Sequence, residues 1–503
     1  MAERLSFSAG EALAILRGAA AEYAPVALSR AGLAPAPGAS AGLSGLDASG
    51  IAAAFAASSL EGPAAARFFE VAVDSRKAGP GSLFVALPGE KADGHDYIAQ
   101  ALEAGASCVL AEERGWKARA SALAPLAARK GAAVLLVPES LGALQILARE
   151  RRRLCPRLFR LGITGSSGKT TTKEIAAAVL GRHAKVALNP GNLNSDIGLS
   201  QSMFGVEPDR EVGVFEMGMN RKGEIGELAW IYEPDAALVT NVGTAHIGIL
   251  GSRDAIALEK KAVFSRFCGR QAGLVPEDDD YNAFLKEGVA GEVLDFGPRS
   301  TKGFRGAEDL GLDGFAVDWE GLRVRFPLVG RHNLSNAIAA MALAERVGTP
   351  PRELAAGLED ARPLFGRSEI LRGEVTVIRD CYNANPDSAC AAIEFCDSLS
   401  WGGRKVYVLG SMLELGAESE AAHRRVGEAA GLSRADALFF FGEEARASSE
   451  AAREAGFKGP LFHENDFGRL GESVRASVKA GDLVLLKASR GMALERLAEL
   501  LAK

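Results

Sequence analysis

Lys169 and Thr170 close the stretch Leu161-Gly-Ile-Thr-Gly-Ser-Ser-Gly-Lys-Thr170, and the chemistry such a pair supports is the binding of a nucleoside triphosphate. Gly165 and Gly168 let backbone N–H groups close on phosphate oxygens, at the start of a helix whose dipole favours negative charge. Thr164, Ser166, Ser167 and Thr171 complete the loop. Lys169 supplies a mobile cation, and the Thr170 hydroxyl is placed to ligate magnesium. The strict motif requires glycine at position 163, where this chain has Ile163, so the loop is a variant. A Gly/Ser turn that merely caps a helix is the plainer alternative, and the Lys-Thr pair in this context argues against it.

Metal ligands for such a site come from neighbouring strand ends in an α/β sheet. Val214-Phe-Glu216 is an apolar strand ending in a carboxylate, and Thr240-Asn-Val-Gly-Thr-Ala-His246 delivers a histidine after another. A lone strand-end Glu or His is more often structural; two of them downstream of a phosphate loop reinforce each other. Lys260 and Lys261 lie on a helical pattern, where composition alone reads them as a solvated face. Asn333 and Asn336, three apart on one helix face, could either read a base edge or cap the helix.

These residues need strands to carry them. Leu83–Leu87, Ala133–Val137, Val212–Phe215 and Ala237–Thr240 are apolar runs alternating with helical patterns. Val406–Leu409, Ala437–Phe441 and Leu483–Leu486 resume the series, which predicts α/β layers with parallel sheets. At 503 residues the chain exceeds one ordinary core. The basic stretch Arg149-Glu-Arg-Arg-Arg153 marks one boundary and Arg362-Pro-Leu-Phe-Gly-Arg367 a second. Three domains are expected, 1–155, 156–365 and 366–503, the middle one carrying the phosphate loop. Residues from about 22 to 66 are Ala/Gly/Ser/Pro-rich and read as a poorly ordered insertion or loosely packed helices. A net charge of −6 gives no footprint for nucleic acid or an anionic membrane. The six cysteines show no metal spacing, which suits reduced thiols in a cytoplasm, and neither a signal peptide nor a long apolar span is evident.

Together the motifs resemble the Mur ligases, ATP-dependent peptide synthetases of cell-wall assembly, from about Ala72 to Arg496. The Mur-type loop Thr-Gly-x-x-Gly-Lys-Thr matches Thr164 to Thr170 and accounts for Ile163. The resemblance implies a UDP-sugar-binding first domain, in which Val73-Asp-Ser-Arg76, Gly81–Phe84 and Asp93-Gly-His95 carry the likeness and Ser75 and Arg76 contact the uridine diphosphate end. It implies an ATP-binding middle domain and a Rossmann-like last one. Glu216 and His246 would hold magnesium with Thr170, two ions in all. A carbamylated lysine would be a further ligand. Distance from Phe264 selects Lys260, with Lys261 as the adjacent alternative. Asn192 and Asn194, in Gly191-Asn-Leu-Asn-Ser-Asp-Ile-Gly198, would face the muramoyl-peptide. Asp380-Cys-Tyr-Asn-Ala-Asn-Pro386 is the most specific signal, supported by Val408–Gly416 and Lys487-Ala-Ser-Arg490. Asn383-Ala-Asn385 points to the step that adds D-alanyl-D-alanine to UDP-N-acetylmuramoyl-tripeptide, with both asparagines orienting the dipeptide.

The implied enzyme has Lys169, Glu216, His246 and Lys260 in catalysis, Arg367 and Asp380 on phosphate and ribose, and Asn333 and Asn336 near the base. Domain closure pivoting near Ala361–Gly366, a cytoplasmic monomer, no nucleic acid and no stable membrane association complete the expectation. Ser411, Pro276 and Ala488 depart from the family pattern without touching phosphate or metal positions. A folate-polyglutamylating relative is disfavoured by the Asp-Ser-Arg segment, and other Mur steps by Asn383-Ala-Asn385. A switch or motor NTPase calls for a strand-end Asp or an Asn-Lys-x-Asp, and this chain shows neither motif.

Overall fold

The Gly-rich turn at 165–168 ends the strand Phe159–Thr164, which is interior to a six-stranded sheet. The structure, a computed structural model, describes residues 5–31, 43 and 45–501. Val212–Glu216 flanks the loop strand on one side and Ala236–Val239 on the other. Val186–Leu188 lies beyond the first, and Ala272–Pro276 then Glu292–Phe296 beyond the second. Every pairing is parallel, so all the C-terminal strand ends open on one edge, and register decides which side chains meet there. Glu216 stands opposite Ile163 and Val239 opposite Thr164. That register brings the carboxylate, the loop leading to His246 and the phosphate loop to one level.

The interior strands are apolar on both faces because helices cover both. Lys169–Leu180 packs on Arg331–Arg346 through Ile175, Val179, Ala337 and Met341. The periodicity of the latter helix begins at Ala337, but its first turn starts six residues earlier, where polar residues face the site. The antiparallel strands Phe304–Asp309, Phe315–Trp319 and Leu322–Phe326 extend this core through Trp319 and Phe326.

Upstream, Ala133–Val137, Cys108–Glu112, Ser82–Val85 and Glu70–Ala72 form a parallel sheet, to which Ser59–Glu61 adds an antiparallel edge. Downstream, Thr376–Asp380, Leu483–Lys487, Lys405–Gly410, Ala437–Phe441 and Leu461–Glu464 run parallel, with Glu369–Leu371 antiparallel at one edge.

One expectation needs correction. Ala34–Ser40 lies outside the described residues, but the flanking Ala-rich stretches are packed helices, Ala20–Ala31 and Ala48–Ala56. Tyr23 and Phe55 are fully buried there, with ring centroids 5.3 Å apart, and Tyr23 also meets Trp230 at 5.6 Å. Alanine lets helices approach closely, so low side-chain volume here means close packing around a few large rings. Arg149–Arg153, the stretch expected to mark a boundary, is itself packed. It ends the helix Ser140–Arg153, and Arg149, Arg151 and Arg152 are buried against the central segment. Arg149 lies 4.6 Å over the Trp230 ring and pairs with Glu233, and Arg151 donates to Val206 O at 2.9 Å.

Candidate functional site

A cavity of about 880 Å³ opens above the C-terminal strand ends of the central sheet. Its floor is the phosphate loop, and its far wall comes from the downstream segment beginning at Gly366. The loop is shaped by two glycines. Gly168 has φ +82, and a Cβ there would run into Asn336 Oδ1. Gly165 has φ +145, and a Cβ there would lie 3.0 Å from Thr240 N, so only glycine fits either place. The next strand end secures the loop: Ser167 N donates to Asn241 Oδ1 at 3.0 Å, and Thr240 Oγ1 donates to Ser167 O at 2.6 Å.

Thr170 Oγ1 donates to Glu216 Oε2 at 2.7 Å, while Asn194 Nδ2 donates to Glu216 Oε1 at 2.7 Å. Asn189, fully buried, grips the Glu216 backbone with both ends of its amide, at 2.9 Å each. Lys173 in turn donates to Asn189 O at 2.8 Å. Asn189 and Asn241 escaped sequence reasoning; the only available signal was a polar residue directly after an apolar strand.

Lys169 folds back on the loop, donating to Gly165 O at 2.8 Å. Burial lowers its pKa, the Glu216 charge opposes that shift, and Arg367 adds to it. His246 adopts φ +65 at the start of the short helix Ile247–Leu250. Its Nδ1 is buried with no hydrogen-bond partner. Burial, then the charges of Lys169 and Lys260, push its pKa down to about 3, so the ring is neutral. Lys260 is fully buried and its Nζ has no hydrogen-bond partner. Burial first, then Lys169, lower its pKa to about 7 against the pull of Glu259, Glu224 and Glu216. Lys261 turns away, donating to Phe284 O at 2.7 Å with its ammonium 4.4 Å over the Phe284 ring.

This donor set fits magnesium. Glu216 and Thr170 offer the oxygens magnesium takes, beside the unpartnered His246 Nδ1, and magnesium uses few protein ligands alongside water and substrate phosphates; the Lys260 amine would join only as an oxygen-bearing carbamate. Among the described residues no three His, Cys, Asp or Glu side chains form a metal cage, so protein carboxylates alone do not complete it.

The downstream segment reaches the loop directly. Arg367 Nη2 donates to Thr170 Oγ1 at 3.0 Å, and Asn385 Nδ2 donates to Ser167 Oγ at 3.0 Å. Asn385 also caps the helix Pro386–Ser398, with Ser388 completing the capping box. Asp387, which the sequence reading missed, accepts from Thr244 N at 3.0 Å and Oγ1 at 2.9 Å. Asp380 accepts from Lys487 Nζ at 2.7 Å, and the exposed Asn383 lines the cavity.

Of the residues singled out from sequence, Ser166, Ser167, Gly168, Lys169, Thr170, Thr171, Asn192, Asn194, Glu216 and His246 line this one cavity. Asn333, Asn336, Arg367, Asp380, Asn383 and Asn385 join them there. Thr164, Gly165 and Lys260 are buried outside its lining. Ser75 and Arg76 are elsewhere: Ser75 donates to Gln100 at 2.8 Å, and the exposed Arg76 pairs with Asp74 at 2.7 Å. The capping reading of Asn333 is wrong. Gly330 is the N-cap, and the Asn333 amide donates back to Val329 O at 2.8 Å because the residue sits inside the first turn. Asn336 braces Gly168 and accepts from Thr172 Oγ1 at 3.3 Å. Ser411 is fully buried, accepting from Ala445 N at 3.2 Å, whereas Pro276 lies on the cavity wall.

Comparison with known proteins yields three family matches in chain order. Residues 68–152 match the Mur ligase family catalytic domain, 163–344 the Mur ligase middle domain, and 366–490 the Mur ligase glutamate ligase domain. A UDP-N-acetylmuramoyl-tripeptide–D-alanyl-D-alanine ligase of Treponema pallidum (strain Nichols) is 44% identical over 443 residues, spanning 87% of this chain and 95% of that protein. Among solved structures, MurF from Acinetobacter baumannii superposes with a TM-score of 0.77 at 31% identity, covering 87% of this chain and 94% of that one. MurF ligase from Thermotoga maritima in complex with ADP gives 0.71 at 28% identity, covering 86% and 96%.

Proposed function

The chain belongs to the Mur ligase family, and on that premise we infer that it joins D-alanyl-D-alanine to UDP-N-acetylmuramoyl-tripeptide, converting ATP to ADP and phosphate. The observation that carries this reading is the shared cavity: Lys169 and Thr170 of the phosphate loop face Asn383 and Asn385 of the downstream segment across one space.

A carboxylate does not condense with an amine in water, because its leaving group would be oxide. Transfer of the ATP γ-phosphoryl group onto the tripeptide carboxylate makes an acyl phosphate, whose leaving group is phosphate. The transfer demands positioning and charge neutralisation more than covalent help. Lys169 and the loop N–H groups of 164–171 hold the β- and γ-phosphates. Arg367 reaches the same phosphates through its place beside Thr170, and Asp380 addresses the ribose. Asn333 and Asn336 support the loop from the base side. Thr170, Glu216, His246 and carbamylated Lys260 would hold two magnesium ions, which when bound neutralise phosphate charge and polarise the transferring group. A neutral lysine amine is the form that adds to CO2, losing a proton to become a carbamate, and the lowered pKa of Lys260 keeps that form available near neutrality.

The dipeptide amine then attacks the acyl phosphate carbonyl, and the tetrahedral intermediate expels phosphate and forms the amide. Asn383 and Asn385 orient the dipeptide, Asn192 and Asn194 face the muramoyl-peptide, and Ser75 and Arg76 meet the uridine diphosphate end. The three family matches support divisions near residues 155 and 365. A monomer acting in the cytoplasm completes the proposal; no helix among the described residues is long and apolar enough to cross a membrane.

Phosphate release from ATP, measured with UDP-N-acetylmuramoyl-tripeptide and with or without D-alanyl-D-alanine, tests the reading. Release that needs both, with a product heavier by the dipeptide, supports it. Release indifferent to both would refute it.

A further inference from the structure

Tyr382 lies between Asp380 and Asn383, yet the steps above give it no task. Its ring sits under the Arg367 guanidinium, whose carbon is 4.3 Å from the ring centroid. The same guanidinium donates to Thr170 Oγ1 at 3.0 Å, and Thr170 donates on to Glu216 at 2.7 Å. On its other flank Tyr382 meets Arg490, 5.9 Å from the centroid, which also lies 5.6 Å over Phe365. Arg379 covers Phe365 at 4.2 Å.

The arginines in this stack are held differently. Arg490 is tied to Glu495 at 2.7 Å, and Arg379 to Glu369 at 2.7 Å. Arg367 has no carboxylate partner among the described residues; its contacts are the Thr170 hydroxyl and the ring. A long side chain carries substantial rotamer entropy, so a fixed aim requires something to hold it. The backbone brings the pair together: Tyr382 N donates to Gly366 O at 2.9 Å, and Gly366 takes φ +67. A Cβ at 366 would lie 3.1 Å from Tyr382 N, so the two strands of chain approach as closely as they do because residue 366 is glycine. No hydrogen bond engages the Tyr382 hydroxyl among the described residues, which leaves the ring face as its working part.

We propose that Tyr382 is a positioning residue whose ring aims the Arg367 guanidinium at the phosphoryl group held beside Thr170. The idea rests on the ligase reading above. It adds that nucleotide chemistry in the central segment depends on an aromatic face in the downstream one, one residue from the asparagine assigned to the dipeptide.

The attraction of a guanidinium to a ring depends on the ring's quadrupole, which fluorination removes stepwise with little change of shape. Full-length protein carrying phenylalanine, then mono-, di- and trifluorinated phenylalanine, at position 382 is assayed for phosphate release with all three substrates saturating. Tyr382→Phe should stay within about twofold of wild type, and kcat should then fall with each fluorine to about tenfold below it, the scale of one desolvated cation–π contact. The KM for D-alanyl-D-alanine should not move. In an Arg367→Gln background the same series should be flat, because the ring's remaining cation, Arg490, is held by Glu495 rather than aimed by the ring. A flat series with Arg367 present, or equal slopes in both backgrounds, overturns the proposal. Wild type that fails to require both substrates would instead overturn the ligase reading, whatever the series shows.

Discussion

Lys260 is the residue whose removal should strengthen the fold while abolishing the reaction. Its ammonium is fully buried and its Nζ has no hydrogen-bond partner, which is why its pKa falls from the ordinary 10.5 to about 7. Above pH 10.5 the folded and unfolded chains both carry a neutral amine and nothing is lost. As pH drops from 10.5 to about 7 the unfolded chain takes up a proton that the folded one refuses, and stability declines. Below about 7 both are protonated and the full cost applies, roughly 5 kcal/mol as an upper bound at about 1.36 kcal/mol for each factor of ten. Lys260→Met keeps the volume and flexibility of the side chain and deletes the charge. We expect a realised gain of about 1–3 kcal/mol at pH 6–7, since methionine must still fit a site shaped for lysine. Urea titrations followed by intrinsic fluorescence between pH 6 and 9, in buffer stripped of CO2, measure it. The advantage should shrink as pH rises. It should also shrink when bicarbonate is restored, because a carbamate on wild-type Lys260 turns an unwelcome cation into an anion beside Lys169. Ligase activity of the variant should be lost throughout. If Lys260→Met is no more stable than wild type at any pH, the lysine does not carry the burial cost assigned to it, and the argument for a reactive neutral amine fails with it.

Gly168→Ala should lower ADP affinity at least about tenfold, read by calorimetry, while reducing stability by only about 1–2 kcal/mol, because a left-handed φ of +82 and the Asn336 amide both oppose a Cβ; unchanged affinity would mean the loop can reshape. Tyr23→Ala should cost about 3–5 kcal/mol in urea unfolding through the cavity left between Phe55 and Trp230, and a loss under about 1 kcal/mol would show that the first helices do not close on the central segment.

Legibility from sequence follows the distance over which each feature is determined. Ala133–Val137 and Ala437–Phe441 were readable to the residue because a buried parallel strand is an apolar run whatever surrounds it. The phosphate loop was readable because its glycines, Lys169 and Thr170 are contiguous. Helical pattern alone does not separate Lys260 from Lys261, and only the family's spacing to Phe264 selects Lys260; neighbours about 100° apart on a helix differ in what packs on each side, and Phe284 takes Lys261. Asn333 stayed open between cap and base reader because its polar neighbours carry no apolar periodicity to fix where the helix begins, and Gly330 takes the cap. Asn189 and Asn241 were invisible: each matters through the register of a strand against its neighbour, which no local pattern encodes. The sheet at 304–326 was missed for a related reason, its exposed faces being charged pairs such as Glu308 with Arg323.

Cations of the site gather at the phosphate loop although the chain as a whole is acidic, and this constrains what that end of the cavity can bind. The protein carries −6 overall, yet Lys169 and Arg367 meet beside Glu216, and Lys260 lies close by with Glu259 and Glu224 also pulling on it. The consequences are visible in the folded chain: burial and mutual repulsion depress both lysines and His246 together. An anion entering this space relieves that repulsion, so the site gains more from a polyphosphate than the same cations would when spread over a surface. Arg367 belongs to the downstream segment and Lys169 to the central one, so an anion between them draws on both. Whatever strengthens the contact of Arg367 and Asn385 with the loop must therefore strengthen phosphate binding, and phosphate binding must hold the two segments together by the same free energy. On the proposed ligase reading, a site divided in this way ties activation of the carboxylate to contact with the segment assigned to the amine, with no separate signalling element required.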